Sequence, residues 1–268
     1  MTAFAALDVS KRSTSIHIVD EKGTCLWRGK TPTDPEALAM ALSPFSNDLN
    51  LVGLETGCWT TWLWHELTDR GFPMVCMDAR QAHAALSINI NKTDANDAQG
   101  LAHLLRTGLY REVRVKSWED MRKRTLLRAR ATMLRCVLDL ANAIRGALRT
   151  FGISLPAGSG NGGAKIFERR VIDHLAKRAD LEVIIGPLLE AWRAGRAQVA
   201  RHESTIRRIV RNDPRCQLLM TVPGVGFLTA VGYVGAIGDP ATFKSGRTAA
   251  AWIGLTPRRY QSGAINQQ

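Results

Sequence analysis

The chain has 268 residues, 45% hydrophobic and 22% charged, with a formal net charge of +12, which is the balance of a folded protein with ample core rather than a disordered one. No apolar run approaches the roughly 20 residues needed to span a bilayer, and the start MTAFAALDVSK lacks the parts of a secretory signal, so a cytoplasmic protein with no membrane partner is expected. Cys25, Cys58, Cys76, Cys136 and Cys216 are scattered without CxxC or Cys/His spacing, which argues against zinc and a disulfide framework and for reduced, mostly buried thiols.

The first third alternates strand-like and helix-like segments. AFAALDV and SIHIVD are rich in apolar and β-branched residues, Glu21-Lys22-Gly23 supplies a turn, and TCLWRGK follows, which predicts a three-strand meander. Asp34 and Pro35 open a helix through PEALAMALSPF, with proline at a favourable first-turn position. NLVGLE predicts a short strand ending at Glu55. Thr56 and Gly57 then turn the chain into the helix WTTWLWHELTDR, closed by Gly71, with Trp59, Trp62 and Trp64 expected mainly in the core. FPMVCMDA predicts the next strand. KTDANDAQGLAHLLR, at 92–106, predicts a helix that carries Asp94 and Asp97 on one face and stops at Gly108. Acids in a first helical turn also simply complement the macrodipole, so this pair gains meaning only from its company.

That company is Asp8 and Glu55, each at or near the end of a predicted strand. Carboxylates converging from separate elements repel one another unless a cation lies between them, and an all-oxygen site suits Mg²⁺ or Mn²⁺. Asp8 before a strand-turn-strand, Glu55 on a later strand and acids on a following helix follow the logic of an RNase H-like α/β fold. Such sites hold two divalent ions roughly 4 Å apart, one activating an attacking oxygen and the other stabilising the leaving one. Asp8-Val9-Ser10 also fits the phosphate loop of a sugar-kinase or actin-like ATPase, which has the same strand order. That reading needs a glycine-rich turn, and LDVSKRST has no glycine.

Charge divides the chain. Through Tyr110 there are 9 Lys and Arg against 12 Asp and Glu, a net of −3; beyond it there are 27 against 12, a net of +15. A mildly acidic front joined to a basic back fits a catalytic domain coupled to a polyanion-binding region. Residues 118–151 predict one long helix with an apolar stripe, and Arg122, Lys123, Arg124 and Arg128 on its other faces are candidate nucleic-acid contacts, as is Lys92. A glycine-rich break at 156–164 precedes a second helical stretch at 165–211, expected to be interrupted near Gly186 and Pro187. Two such stretches around a loop predict an antiparallel helical hairpin or an oligomerising coiled coil. Val222-Pro223-Gly224-Val225-Gly226, between two helical patterns, looks like a helix-hairpin-helix in which Gly224 and Gly226 let backbone N–H groups approach a DNA phosphate. A plain tight turn between packed helices is the alternative. The six histidines show no ligand spacing.

LDVSK, GLETG and KTDANDA, then the basic helical stretches, then TVPGVGFLTA and GDPATFKSGRTAAAWIGLTPRRYQSG, resemble the DEDD-type insertion-sequence transposases of the "IS-one-ten" group, in motif order and over nearly the whole chain. The resemblance implies a RuvC-like catalytic domain at 1–112, a basic coiled-coil linker at 113–212 and a mainly helical transposase domain at 213–268. It matches the family's four acids to Asp8, Glu55, Asp94 and Asp97, and its nucleophilic serine, which forms a covalent link to DNA, to Ser262 in GLTPRRYQSG; Ser245 in FKSG is second choice. It further implies donor and target DNA, a structured guide RNA, Mg²⁺ or Mn²⁺, and a homodimer or tetramer. The family pattern continues past its Ser-Gly segment where this sequence reads QSGAINQQ, so the last domain is expected to be truncated. Two other readings stand beside the transposase: a structure-selective nuclease of the junction-resolvase type, which needs the acids but no serine, and an inactive nucleic-acid-binding remnant.

Overall fold

The computed structural model describes residues 2–86, 94–155, 163–255, 260–262 and 265–267. The chain divides into two compact units, Met1–Lys116 and Ser117–Gln268.

In the first unit β1 (Ala3–Val9), β2 (Ser13–Asp20), β3 (Cys25–Pro32), β4 (Leu49–Glu55) and β5 (Met74–Met77) form one sheet in the order β3-β2-β1-β4-β5. β2 pairs antiparallel with β1 and β3, whereas β4 pairs parallel with β1 and β5. Turn chemistry makes the meander: the Asp20 carboxylate accepts from the Lys22 and Thr24 N–H groups at 2.9 and 2.7 Å, and Gly23 takes φ of +87°. Joining β3 to a strand parallel to β1 needs a crossover, supplied by α1 (Pro35–Leu42), whose N-cap Asp34 accepts from Glu36 and Ala37 N–H. Three antiparallel strands followed by two parallel ones is the RNase H-like order.

Strand alternation sorts the side chains onto two faces. Ala3, Ala5, Leu7, Val52 and Leu54 pack against Leu38 and Leu42 of α1 and against Leu63 and Leu67 of α2 (Thr60–Asp69). On the opposite face Phe4, Ala6, Val75 and Met77 meet Ala82 of α3 (Ala79–Leu86) and Leu101, Ala102 and Leu105 of α4 (Asp94–Thr107). A Cβ on Gly53 would meet Leu105 and Met77 side-chain carbons at 3.0 Å, so glycine is what lets α4 lie this close to β4. Helix α3 departs from the expected strand through Ala79: Asp78 accepts from the Arg80 and Gln81 N–H groups and starts a helix instead.

The second unit is built on α5 (Trp118–Thr150) and α7 (Ala179–Asn212), with α6 (Gly163–Leu175) between them in sequence. The two long helices run antiparallel, since Lys123 pairs with Asp213, Arg130 with Glu203, and a Cβ on Gly195 would abut Val137. The break in the second stretch falls after Leu175, not near Gly186 and Pro187. Phe167, Val171 and Leu175 make one buried stripe and Leu181, Ile185 and Leu189 another. Leu181 comes six positions after Leu175, which would point the stripes of one continuous helix in different directions. Pro187 stays inside α7; the carbonyl it cannot serve belongs to Val183, which is 78% exposed and open to water.

Helices α8 (Pro214–Met220) and α9 (Phe227–Ile237) pack on the other end of the long pair through Ile206, Val210, Cys216, Val231 and Val234. Helix α10 (Gly246–Trp252) follows, and the tail forms an antiparallel pair, β6 (Tyr260–Ser262) with β7 (Ile265–Gln267). Among the described residues no helix is long and apolar enough to cross a membrane. All five cysteines are free, but only Cys76 and Cys216 are buried. Cys25 opens the edge strand β3 and Cys58 lies in the turn before α2, which corrects the expectation of mostly buried thiols. Trp62 and Trp64 pack on the core as expected, whereas Trp59, before the first turn of α2, is 38% exposed.

Candidate active site

Register brings two of the four candidate acids together. Leu7 pairs with Leu54 across the parallel β1–β4 ladder, so Asp8 and Glu55 are the next residues on strands that run about 4.8 Å apart. Both follow the alternation of Ala6 and Gly53 onto the face that α4 covers, and both are half-buried.

The direction of α4 is fixed by its far end. Arg106 donates to the Glu21 carbonyl at 3.0 Å, and the β2–β3 turn at Gly23 lies against His103 and Arg106. The C-terminus of α4 therefore sits at the edge where β1 begins, and its N-terminus points toward the edge where β1 and β4 end. Asp97 lies one turn before Leu101 on the buried stripe of α4, half-buried itself, and Asp94 is the first residue of the helix. Asp8, Glu55 and the start of α4 thus share the C-terminal edge of the parallel strands. The side chain of Asp94 lies outside the described residues.

Two acids at this edge were missed in the sequence. Asp78 directly follows the last residue of β5, and Glu112 bridges Met77. Burial, then the charges of Glu112, Asp78 and Glu55, push the Cys76 thiol up to about 12. The signal for Asp78 was legible: like Asp8 and Glu55, it is an acid at the end of an apolar run. Its carboxylate is engaged as the cap of α3.

Among the described residues no group of three or more His, Cys, Asp or Glu side chains is close enough to hold a metal ion. The donor chemistry nevertheless fits a hard divalent cation, because every candidate is a carboxylate and two are in register on neighbouring strands.

The basic candidates differ in exposure. Arg122 and Arg128 are exposed, and Arg124 is half-buried with its stem against the position of Gly235. Lys123 is a correction. It is 1% exposed, and its ammonium lies 2.7 Å from Glu119 and 2.7 Å from Asp213. Burial works against its charge, but the hydrogen bonds to Asp213 and Glu119 outweigh it and raise the pKa. A phosphate cannot reach it. The residue ties α5 to the α7–α8 junction, where Arg215 also contacts Asp120 and Asp213 at 3.4 and 3.1 Å. Lys92 lies outside the described residues.

Residues 221–226 join α8 to α9. Gly224 takes φ of +84°, Gly226 is the N-cap of α9, and no atom lies within 4 Å of where a Cβ would stand on either. Ser245 caps α10, accepting from the Thr248 N–H in a reciprocal capping box. Ser262 ends β6, paired with Ile265; its side chain lies outside the described residues.

A family model described as "Transposase", of the DEDD type of IS110, matches residues 5–153, and one described as "Transposase IS116/IS110/IS902 family" matches residues 216–268. A "Probable family 20 transposase" of Pseudomonas aeruginosa is 32% identical over 177 residues, 65% of this chain and 52% of that protein. The "Transposase for insertion sequence element IS1111A" of Coxiella burnetii is 28% identical over 186 residues, 68% of this chain and 50% of that one. The chain therefore spans about half the length of the curated relatives it matches. A solved Thermus thermophilus RuvC structure matches at a TM-score of 0.32 and 13% identity, over 42% of this chain and 100% of that one, a likeness too low to add to the sheet order itself. With a family model covering more than half of its length, the chain belongs to the DEDD transposases of the IS110 type.

Proposed function

We propose that the protein acts as a DNA recombinase of an insertion sequence, cutting and rejoining DNA strands with a divalent cation, Mg²⁺ or Mn²⁺, held by Asp8, Glu55, Asp94 and Asp97. The observation that carries the reading is the in-register placement of Asp8 and Glu55 on the face covered by α4, the helix that bears the other two acids. A cation bound there would supply Lewis acidity to a phosphoryl oxygen and neutralise charge that the carboxylates alone would repel. Their task is to hold it and to orient the DNA phosphate. The working division is catalytic domain at 1–112, basic helical linker, acting as a coiled coil, at 113–212, and transposase domain at 213–268.

In this reading the Ser262 hydroxyl attacks a DNA phosphate: a serine–phosphorus ester bond forms as the bond from phosphorus to one deoxyribose oxygen breaks, and that oxygen leaves as a hydroxyl with a proton to balance the one serine gives up. A serine hydroxyl needs an activating base or metal, so the reaction waits until serine and carboxylates come together on DNA. Ser245 is already committed to capping α10, which favours Ser262 over it. Exposed Arg122 and Arg128 and half-buried Arg124 serve the phosphate backbone, and Gly224 and Gly226 serve as a helix-hairpin-helix turn on a second phosphate. A structured guide RNA and a dimer or tetramer complete the proposal.

The test is a denaturing gel that resolves covalent protein–DNA adducts on donor DNA with co-expressed element RNA. Wild type forms a Mg²⁺-dependent adduct, Ser262→Ala forms none, and Ser245→Ala retains it. An adduct that survives in Ser262→Ala removes the serine role. Strand cleavage without any adduct selects a resolvase-type nuclease.

A further inference from the structure

A side chain at a strand end is only as well aimed as the peptide that follows it. Glu55 is the last residue of β4, and residues 56–59 turn the chain before α2 begins at Thr60. Thr60 is 7% exposed and turns its hydroxyl back toward the strand. Its Oγ1 donates to the Glu55 carbonyl at 2.7 Å and accepts from the Gly57 N–H at 2.6 Å. The N–H of the same peptide unit, that of Thr56, donates to the Met77 carbonyl at 2.9 Å. The plane linking Glu55 to Thr56 is thus held at both of its polar ends, by Thr60 on one side and β5 on the other. Thr56 Oγ1 adds a third tie by accepting from the Ala79 N–H at 3.1 Å. Fixing that plane fixes the backbone torsion of Glu55, and with it the direction of its Cβ.

Helix α2 sharpens the point. Hydroxyl residues at a helix start ordinarily accept from the free N–H groups of the first turn. Here the N-cap is Trp59, which offers no side-chain cap, and the Thr60 hydroxyl serves the strand end instead. Removing it would leave a half-buried carbonyl and an N–H without this partner and free the peptide to rotate.

We propose that Thr60 is a positioning residue that aims the Glu55 carboxylate toward the face covered by α4. The inference rests on the carboxylate reading given under Proposed function. Its test is Mn²⁺ binding to the full chain without DNA, measured by the electron paramagnetic resonance of free Mn²⁺, so turnover is not needed. Thr60→Val keeps the shape and deletes the hydroxyl, Thr60→Ala deletes it without a second methyl, and Thr60→Ser keeps it. Supporting tightly ordered ligands is worth about 10- to 100-fold in metal affinity, so Val and Ala are expected to weaken Mn²⁺ binding at least tenfold and Ser to bind within about twofold of wild type.

Glu55→Gln separates the two levels. If Glu55→Gln loses Mn²⁺ while Thr60→Val and Thr60→Ala bind it like wild type, even with a lowered melting temperature, the carboxylate site stands and Thr60 is merely structural. If Glu55→Gln or wild type shows that Mn²⁺ binding does not involve Glu55, the site reading fails and the Thr60 inference falls with it.

Discussion

The two units handle charge in opposite ways. At the C-terminal edge of the sheet, carboxylates stand in register on neighbouring strands, half-buried, with Asp78 and Glu112 beside β5. Where α5 meets the α7–α8 junction the charges are mixed and paired: buried Lys123 and partly exposed Arg215 interleave with buried Asp120 and Asp213. Burial pushes the Asp213 carboxyl up, but the hydrogen bonds from Arg215 and Lys123 overcome it and hold that carboxyl well below the usual carboxylate range. A balanced cluster stabilises one packing arrangement. The carboxylate edge, in the proposed reading, is where a divalent cation would bind.

The largest expected effect breaks that contrast on the acidic side. Asp8→Asn is predicted to lower Mg²⁺-dependent strand cleavage about a thousandfold, the equivalent of several kcal/mol of lost transition-state stabilisation. Asparagine keeps the shape of the side chain, so the urea midpoint is expected to change little. A large drop in stability would show instead that Asp8 is a structural residue.

On the basic side the outcomes reverse. Lys123→Met removes one partner of a buried ion cluster, which typically costs about 3–5 kcal/mol; because Arg215 still pairs with Asp213, the lower end is expected in urea unfolding. Nucleic-acid affinity of the folded fraction should hardly move. Arg122→Ala and Arg128→Ala, on exposed positions of the same helix, are predicted to leave stability within about 0.5 kcal/mol. Each should reduce the slope of log affinity against log salt by about 0.9 where the residue contacts a duplex phosphate. Equal salt slopes for wild type and both variants would remove α5 from the binding surface.

Much of the first unit was legible because its signals are local. Asp20, Gly23 and Asp34 act as the turn and cap residues they resemble, and the alternation in AFAALDV places Asp8 opposite Leu7 without any tertiary information. Lys123 was misread for the converse reason. Its neighbours Arg122 and Arg124 suggest a solvated basic face, but a helix turns 100° per residue, and what decides its burial is Asp213, ninety positions away. Thr60 was passed over because its partners are backbone atoms, which no side-chain motif reveals. The break before α7 was placed at Pro187 on composition, when the phase of the apolar stripe decided it.

The smallest effect tests how firmly the acidic edge is held together. His17 of β2 lies beneath α4, 6% exposed, beside His103 of α4 and cross-strand from Arg28. Burial first, then the charges of His103 and Arg28, lower its pKa from the ordinary 6.5. The folded chain therefore holds fewer protons at this position than the unfolded one as pH falls through and below that value. The stabilisation is fully present above about pH 6.5 and is lost as pH falls through the lower, folded value. Hydrogen exchange of α4 amides, corrected for intrinsic rates, should accelerate between pH 7 and 5 in wild type and much less in His17→Gln. Because α4 carries Asp97 to the strand ends, the same acidification should weaken Mn²⁺ binding more in wild type than in the variant. Equal pH profiles would mean that the histidine beneath α4 contributes nothing to holding it.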